Sequence, residues 1–229
     1  MKRVRSRSGV AVLLAGMGAM LACSMPAEAM SYRLLEANLP NCKGACPKVI
    51  VASGTIQSDE HHLFADFVET AARTEKLSSM LVIDSPGGFF GGAAILGSMI
   101  RKLKMTVIVG RPVGEVVTRE TGLTSATCAS ACVLMLAGGV SRYYVTGSRV
   151  GVHRSHTGPE VRDPATRAVV NGKVLHDEVK DDYIRFFRQM GIDPRLADLV
   201  DKTPSEQIYW LSPQVMAKYR LARDSAGKR

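Results

Sequence analysis

An α/β fold with a mostly parallel sheet and crossover helices is what this sequence predicts, and three observations predict it. Short β-branched runs alternate with segments of helical period between Lys48 and Gly110. Each of those runs ends at a glycine or in a glycine-bearing turn: "KVIVASG", "LVIDSPGG" and "TVIVG". The chain of 229 residues, 46% hydrophobic and 22% charged, suits one domain with a substantial core.

The amino-terminal stretch stands apart. "MKRVRSRSG" is a basic leader, and "VAVLLAGMGAMLA" is an apolar run too short for a comfortable membrane span. "AEA" at Ala27 to Ala29 is a small-residue cleavage site. Residues 1–29 therefore read as a secretory signal peptide, with the mature chain starting near Met30 and a periplasmic or secreted location. Lipoprotein processing at Cys23 is the weaker alternative, because Met20 and Leu21 make a poor lipobox. A retained run would be an anchor, with the rest still facing outward. One domain is expected over residues 30–222, followed by a disordered tail over 223–229.

Export changes the meaning of charge and cysteine. The formal charge of +9 falls to +6 once four leader cations and Glu28 are removed. A basic exported chain can associate with an anionic membrane surface. A solvated surface excess is the plainer reading, and no basic helix with interleaved aromatics marks a nucleic-acid interface. Cys42, Cys46, Cys128 and Cys132 remain, an even number that suggests disulfides with three connectivities open. Cys42 and Cys46 share a loop. Cys128 and Cys132 would be too far apart at Cβ to bond if both lay in one regular helix, an objection that lapses if Cys128 precedes the helix. The two C-x₃-C spacings match zinc sites poorly, so no metal is expected.

The elements follow in order. Lys48–Ile56 is a strand. A helix starts at Ser58, with Leu63, Phe64, Phe67 and Val68 at helical spacing. "SMLVIDSPGG" is a second strand, "GGAAILGSMIRKLK" a second helix and "MTVIVG" a third strand. Arg111–Thr127 is a hairpin or loop. "ASACVLMLAGG" is a buried helix ended by Gly138 and Gly139. "SRYYVTGSRVGVH" gives two short strands, and a polar loop with two prolines leads into the long helix "KVLHDEVKDDYIRFFRQMG". "DPRLADLVDKT" and "SPQVMAKYRLA" are short helices opened by Asp or Ser before Pro. His61, His62 and His176 read as surface, and Trp210, Phe186 and Phe187 as core or oligomer contacts.

Three pieces carry chemistry. "DSPGGFFGG" lets backbone N–H groups face a cleft with no side chain in the way, beside a helix start that favours negative charge. Ser130 sits at a predicted helix start between Ala129 and Ala131, with the Ala131 N–H as a second oxyanion donor. Alone, this serine is more simply a helix N-cap. "RVGVH" ends in His153, where a strand end can present a general base; His156 competes from the polar loop.

In this order the pieces resemble the ClpP/crotonase superfamily, meaning the Clp protease proteolytic subunit and exported relatives such as signal peptide peptidase A. "DSPGG" is similar to its glycine turn, "CASACVLMLAGG" to its nucleophile segment, "SRVGVH" to its histidine strand and "YWLSPQVMAKYRLA" to its carboxy-terminal piece. The similarity runs from about Val49 to Ala222. It implies a ClpP/crotonase-like fold of repeated ββα units with carboxy-terminal helices and a homo-oligomer. It implies an acyl-enzyme on Ser130, His153 as base, and oxyanion donors at Gly87, Gly88 and Ala131, with no cofactor. The family's aspartate is replaced, since Ile208 stands near its place. Glu206 is the first candidate acid and Asp201 the alternative. Signal peptidase relatives use a lysine base; His153 argues against that here, although Lys173 and Lys180 are close in sequence. Outside the cytosol there is no ATP, so no ATPase partner is expected, and substrates would be peptides or unfolded protein. The competing readings are an inactive relative that binds or scaffolds through the same cleft, and a crotonase-like acyl-CoA enzyme, which export disfavours.

Overall fold

The computed structural model describes residues 28–37, 42, 46–118, 121–155 and 172–226. Residues 1–27, most of the polar loop, His156, and the side chains of Lys173 and His176 lie outside the described residues.

The chain opens with two strands, β1 (Ser31–Ala37) and β2 (Lys48–Ser53), which pair antiparallel. Helix α1 (Glu60–Thr74), strand β3 (Leu77–Asp84), helix α2 (Phe90–Lys102) and strand β4 (Thr106–Val109) then alternate. A surface excursion holds β5 (Arg111–Pro112), β6 (Val116–Val117) and β7 (Leu123–Thr124) before β8 (Thr127–Ala129). Helix α3 (Cys132–Gly138), strands β9 (Ser141–Tyr144) and β10 (Arg149–Val152), and helices α4 (Gly172–Gln189) and α5 (Leu196–Lys202) follow. The described chain closes with β11 (Tyr209–Trp210), α6 (Pro213–Lys218) and β12 (Arg223–Asp224).

The main sheet runs β12-β9-β4-β3-β2-β1-β6, with β2, β3, β4, β9 and β12 mutually parallel. A smaller sheet, β11-β10-β8, carries the candidate site. This is the mixed α/β, mostly parallel architecture that the alternating pattern predicts. Its central strands read as unbroken apolar runs because both faces are covered. Ile50, Ala52, Leu81, Ile83, Val107 and Val109 pack under the helices, with Phe64, Leu96, Ile100 and Leu134. Val49, Val51 and Val82 point the other way, against Leu35, Val117 and Leu123. The period-two alternation thus splits one apolar strand between two cores.

Three elements depart from the sequence reading. Strand β1 has no counterpart there: "SYRLLEA" mixes helix formers with β formers, and six paired positions on β2 decide its state. Helix α3 begins at Cys132, two residues after Ser130. The expected disordered tail is corrected at its start, because Arg223 and Asp224 pair with Tyr143 and Tyr144, and the Thr146 hydroxyl donates to the Asp224 carboxylate.

At the amino end, the Met30 N–H donates to Thr55 O and the Thr55 N–H donates to Glu28 O. Both sides of the expected cleavage point therefore pair with one residue. The cysteines join as Cys42–Cys46 and Cys128–Cys132. Cys128 lies on β8 rather than in the helix, which removes the geometric objection. Phe186 and Phe187 are core residues. Among the described residues no helix is long and apolar enough to cross a membrane.

Candidate active site

Three chain segments meet where parallel strands end. The glycine turn follows β3, Ser130 follows β8, and His153 follows β10. Carboxyl ends of parallel strands are where open α/β sheets bind ligands, because loops and helix starts there leave a crevice.

The glycine turn is fastened to β8 by backbone and side chain together. The Ser85 N–H donates to Thr127 O, and the Ala129 N–H donates back to Ser85 O. The Thr127 N–H donates to Asp84 Oδ1 at 3.0 Å. Asp84 Oδ2 accepts from Arg111 Nε at 2.7 Å, so this carboxylate pins the end of β3 to the start of β8. Sequence reasoning did not single out Asp84. Its signal was present, as an acid immediately before the glycine turn.

Gly87 has φ of 107°, a backbone that side chains rarely adopt. A Cβ there would lie 2.6 Å from Ala129 O and 2.7 Å from the Ser130 Cβ. Only glycine lets the turn approach the serine this closely. The Gly87 N–H is turned inward onto the buried Ser85 Oγ at 3.1 Å. The Gly87 carbonyl accepts from Ile56 N–H, and the Phe89 N–H donates to Ile56 O. That leaves Gly88 between two fixed neighbours. Among the described residues no acceptor takes the Gly88 or the Ala131 N–H.

Ser130 adopts φ of 56°. Its N–H donates to Gly151 O at 2.9 Å, and its carbonyl accepts from Val133 N–H at 3.1 Å. Helix α3 makes no side-chain cap hydrogen bond, so the serine hydroxyl is not spent as an N-cap. Ser130 is half-buried while every other residue from Cys128 to Gly139 is buried. A left-handed non-glycine residue costs of the order of 1 to 2 kcal/mol, and such residues cluster at functional sites.

His153 is placed by register. Strand β10 pairs parallel with β8, with Gly151 opposite Ala129. Ser130 and His153 therefore leave adjacent strands at the same end. Gly151 allows a further close approach, since a Cβ there would stand 2.4 Å from Ile208 Cγ2. His153 is half-buried.

Of the acid candidates, Glu206 lies on the α5–β11 loop and Asp201 near the end of α5. The Arg154 N–H donates to Thr203 O at 3.0 Å, which ties the residue after His153 to that loop. Strand β11 then runs back along β10, with Tyr209 opposite Val152. Continuing that register sets Ile208 opposite His153. Glu206 is exposed and accepts from Ser205 Oγ at 2.5 Å. Asp201 receives the Lys180 ammonium at 3.3 Å. Hydrogen bonds to Asp198 and Asp201 hold Lys180 protonated above the usual lysine range. A general base needs the opposite shift, so Lys180 is poorly suited to that task. Nearby, burial pushes the Tyr183 hydroxyl up to about 12, against a weaker opposing hydrogen bond from the Ser155 side chain.

No protein-family model and no curated protein matches this chain. Solved structures do. A lysine-to-alanine variant of the 1510-N membrane-bound stomatin-specific protease, in complex with a substrate peptide, aligns at a TM-score of 0.51 and 16% identity. That alignment covers 76% of this chain and 72% of the neighbour. A serine-to-alanine variant of the same protease aligns at a TM-score of 0.46 and 16% identity, over 76% of each chain. The fold of this chain is that of ClpP-like and signal peptide peptidase A-like proteases.

Proposed function

We propose that this chain is an exported, ATP-independent serine peptidase that hydrolyses peptides or unfolded protein through an acyl-enzyme on Ser130. The observation that carries the reading is the Ser130 elbow: a half-exposed serine in a left-handed backbone, with the Gly87 turn packed against its Cβ and the Ala131 N–H free of an acceptor among the described residues. The fold shared with a protease that holds a substrate peptide supports it.

In this mechanism the scissile carbonyl sits over Ser130. The Ser130 Oγ attacks the carbonyl carbon while His153 takes its proton. The oxyanion of the tetrahedral intermediate accepts from the Gly88 and Ala131 N–H groups, fixed dipoles that need no reorganisation at the moment of reaction. The Gly87 N–H, held by Ser85 Oγ, shapes the turn. His153 returns the proton to the leaving amine, and water deprotonated by the same imidazole releases the acyl group. Glu206 from the α5–β11 loop is the proposed orienting acid. The chain acts as a homo-oligomer, in keeping with the resemblance, and needs no unfoldase.

One observation favours the alternative of an inactive binding protein. Both candidate acids have other partners, Ser205 for Glu206 and Lys180 for Asp201. Fluorophosphonate labelling of the purified chain decides between the two. Labelling of the wild type, lost in Ser130→Ala and cut in His153→Ala by about 10² to 10⁴-fold in rate, is the expected result. A folded wild type that never labels would establish the binding reading.

A further inference from the structure

The Cys128–Cys132 disulfide straddles the nucleophile. Cys128 is the middle residue of β8 and Cys132 the first residue of α3, with their Cα atoms 5.2 Å apart. Between them lie only Ala129, Ser130 and Ala131. Both cysteines are fully buried in the main core.

We propose that this disulfide is a permanent brace that holds Ser130 in its left-handed, attack-ready backbone by forbidding the helix that would otherwise form. The statement rests on the peptidase reading of Ser130. The local sequence favours the wrong structure. Ala, Ser and Ala are helix-compatible, and Ala131 already has right-handed backbone angles of −57° and −23°. A right-handed Ser130, with Ala129 and Cys128 following it out of β8, would let α3 grow backward through the serine to the first cysteine. In such a helix Cys128 and Cys132 would sit at i and i+4, with Cβ atoms roughly 5 to 6 Å apart, whereas a disulfide requires about 3.5 to 4.5 Å. The bond and the extended helix exclude one another. Closing the bond therefore selects the elbow, with the Ser130 N–H on Gly151 O and the Ala131 N–H beside Gly87.

Burial separates a brace from a switch. Thiol–disulfide exchange requires a thiolate to reach one of the sulfurs. With both cysteines at zero exposure, a dithiol reaches them only when the elbow opens. Reduction would pass two electrons and two protons to the Cys128–Cys132 bond while the dithiol closes to its own disulfide.

The test uses the purified chain and a Cys128→Ala/Cys132→Ala variant, with Cys42→Ala/Cys46→Ala as the control that removes the other disulfide. Three readouts are taken: fluorophosphonate labelling rate, kcat and KM on a peptide substrate, and hydrogen exchange of the Ser130 amide beside that of Leu134. Loss of the brace should slow labelling and kcat at least tenfold with KM within twofold. It should raise Ser130 exchange at least tenfold and leave Leu134 protected, and the control should match wild type. Wild-type chain reduced by a dithiol and alkylated in partial denaturant, then returned to buffer, repeats the measurement if the double variant does not fold. Wild-type labelling and unchanged Ser130 exchange in brace-free chain would overturn the proposal. Should no form label, the peptidase reading falls, and Ser130 exchange alone still decides whether the disulfide sets the elbow.

Discussion

The two flanks of the candidate site are built in different ways. On the nucleophile side, the turn after β3, the elbow after β8 and the end of β10 are joined strand to strand through Ser85, Thr127, Ala129, Ser130 and Gly151. Main-chain hydrogen bonds hold the backbone there, together with Asp84, Ser85 Oγ and the Cys128–Cys132 disulfide. On the base side, His153 leaves β10 and faces a loop that reaches it through one backbone bond, Arg154 to Thr203, and a two-residue strand. A sheet edge positions N–H donors and a nucleophile to within a hydrogen bond, whereas a loop leaves the identity of a third residue open to change.

The same contrast separates Ser130 from the other left-handed non-glycine residues described, Lys104 and Arg220. Those two follow the ends of α2 and α6, where a left-handed residue closes a helix as a matter of course. Ser130 stands between a strand and the start of a helix. The strain there caps nothing, which is why it points to chemistry.

The most damaging change to the nucleophile flank is Gly87→Ala. The new methyl would meet Ala129 O and the Ser130 Cβ inside contact distance, on a backbone with φ of 107°. A loss of about 3 kcal/mol in stability is expected from steric strain of this kind, with Ser130 labelling abolished in whatever folds. Chemical denaturation and probe labelling check it. A Gly87→Ala chain of wild-type stability and reactivity would break the claim that this flank is fixed by close backbone approach.

The base flank should respond more mildly. Glu206→Gln is expected to slow labelling about tenfold by loosening the orientation of His153. Asp201→Asn is expected to leave the rate within about twofold and to lower stability by less than about 1 kcal/mol, since it removes one half-exposed ion pair with Lys180. Labelling rates of the two variants rank the candidates. If neither changes the rate, Ser130 and His153 act as a dyad, and the loop contributes shape alone.

How far the sequence could be read follows the same division. The parallel sheet was legible because apolar runs ending in glycine mark buried strands, and the Ser212-Pro213 start of α6 was legible because capping is local: Ser212 Oγ accepts from Val215 N–H. The glycine turn, Ser130 and His153 were singled out as a set through the resemblance to a known family, and they follow β3, β8 and β10 in the fold. Strand β1 was hidden, since its pairing with β2 is set by tertiary contact. Strand β12 was hidden because a two-residue edge needs its partner to exist. The backbone state of Ser130 was also invisible, because nothing in "CASAC" announces where the helix stops growing. The acid could not be assigned because a loop contact leaves no periodicity.

A pH titration tests how the base flank is held together. Tyr183 of α4 is buried, and its hydroxyl is paired with Ser155, two residues beyond His153. Burial raises its ionisation from 10.0 to about 12. A folded-state value above the unfolded one gives a contribution that is whole below pH 10 and is lost as pH climbs through 12. Tyr183→Phe cannot ionise, so its stability should fall less steeply than wild type between pH 10 and 12, as followed by denaturant midpoints. At neutral pH it should lose only the Ser155 contact, about 1 kcal/mol. Parallel stability curves for the two chains across that range would mean that Tyr183 is not sealed from solvent. The segment after His153 would then be held by Thr203 and β11 alone, and the contrast between the two flanks would be sharper still.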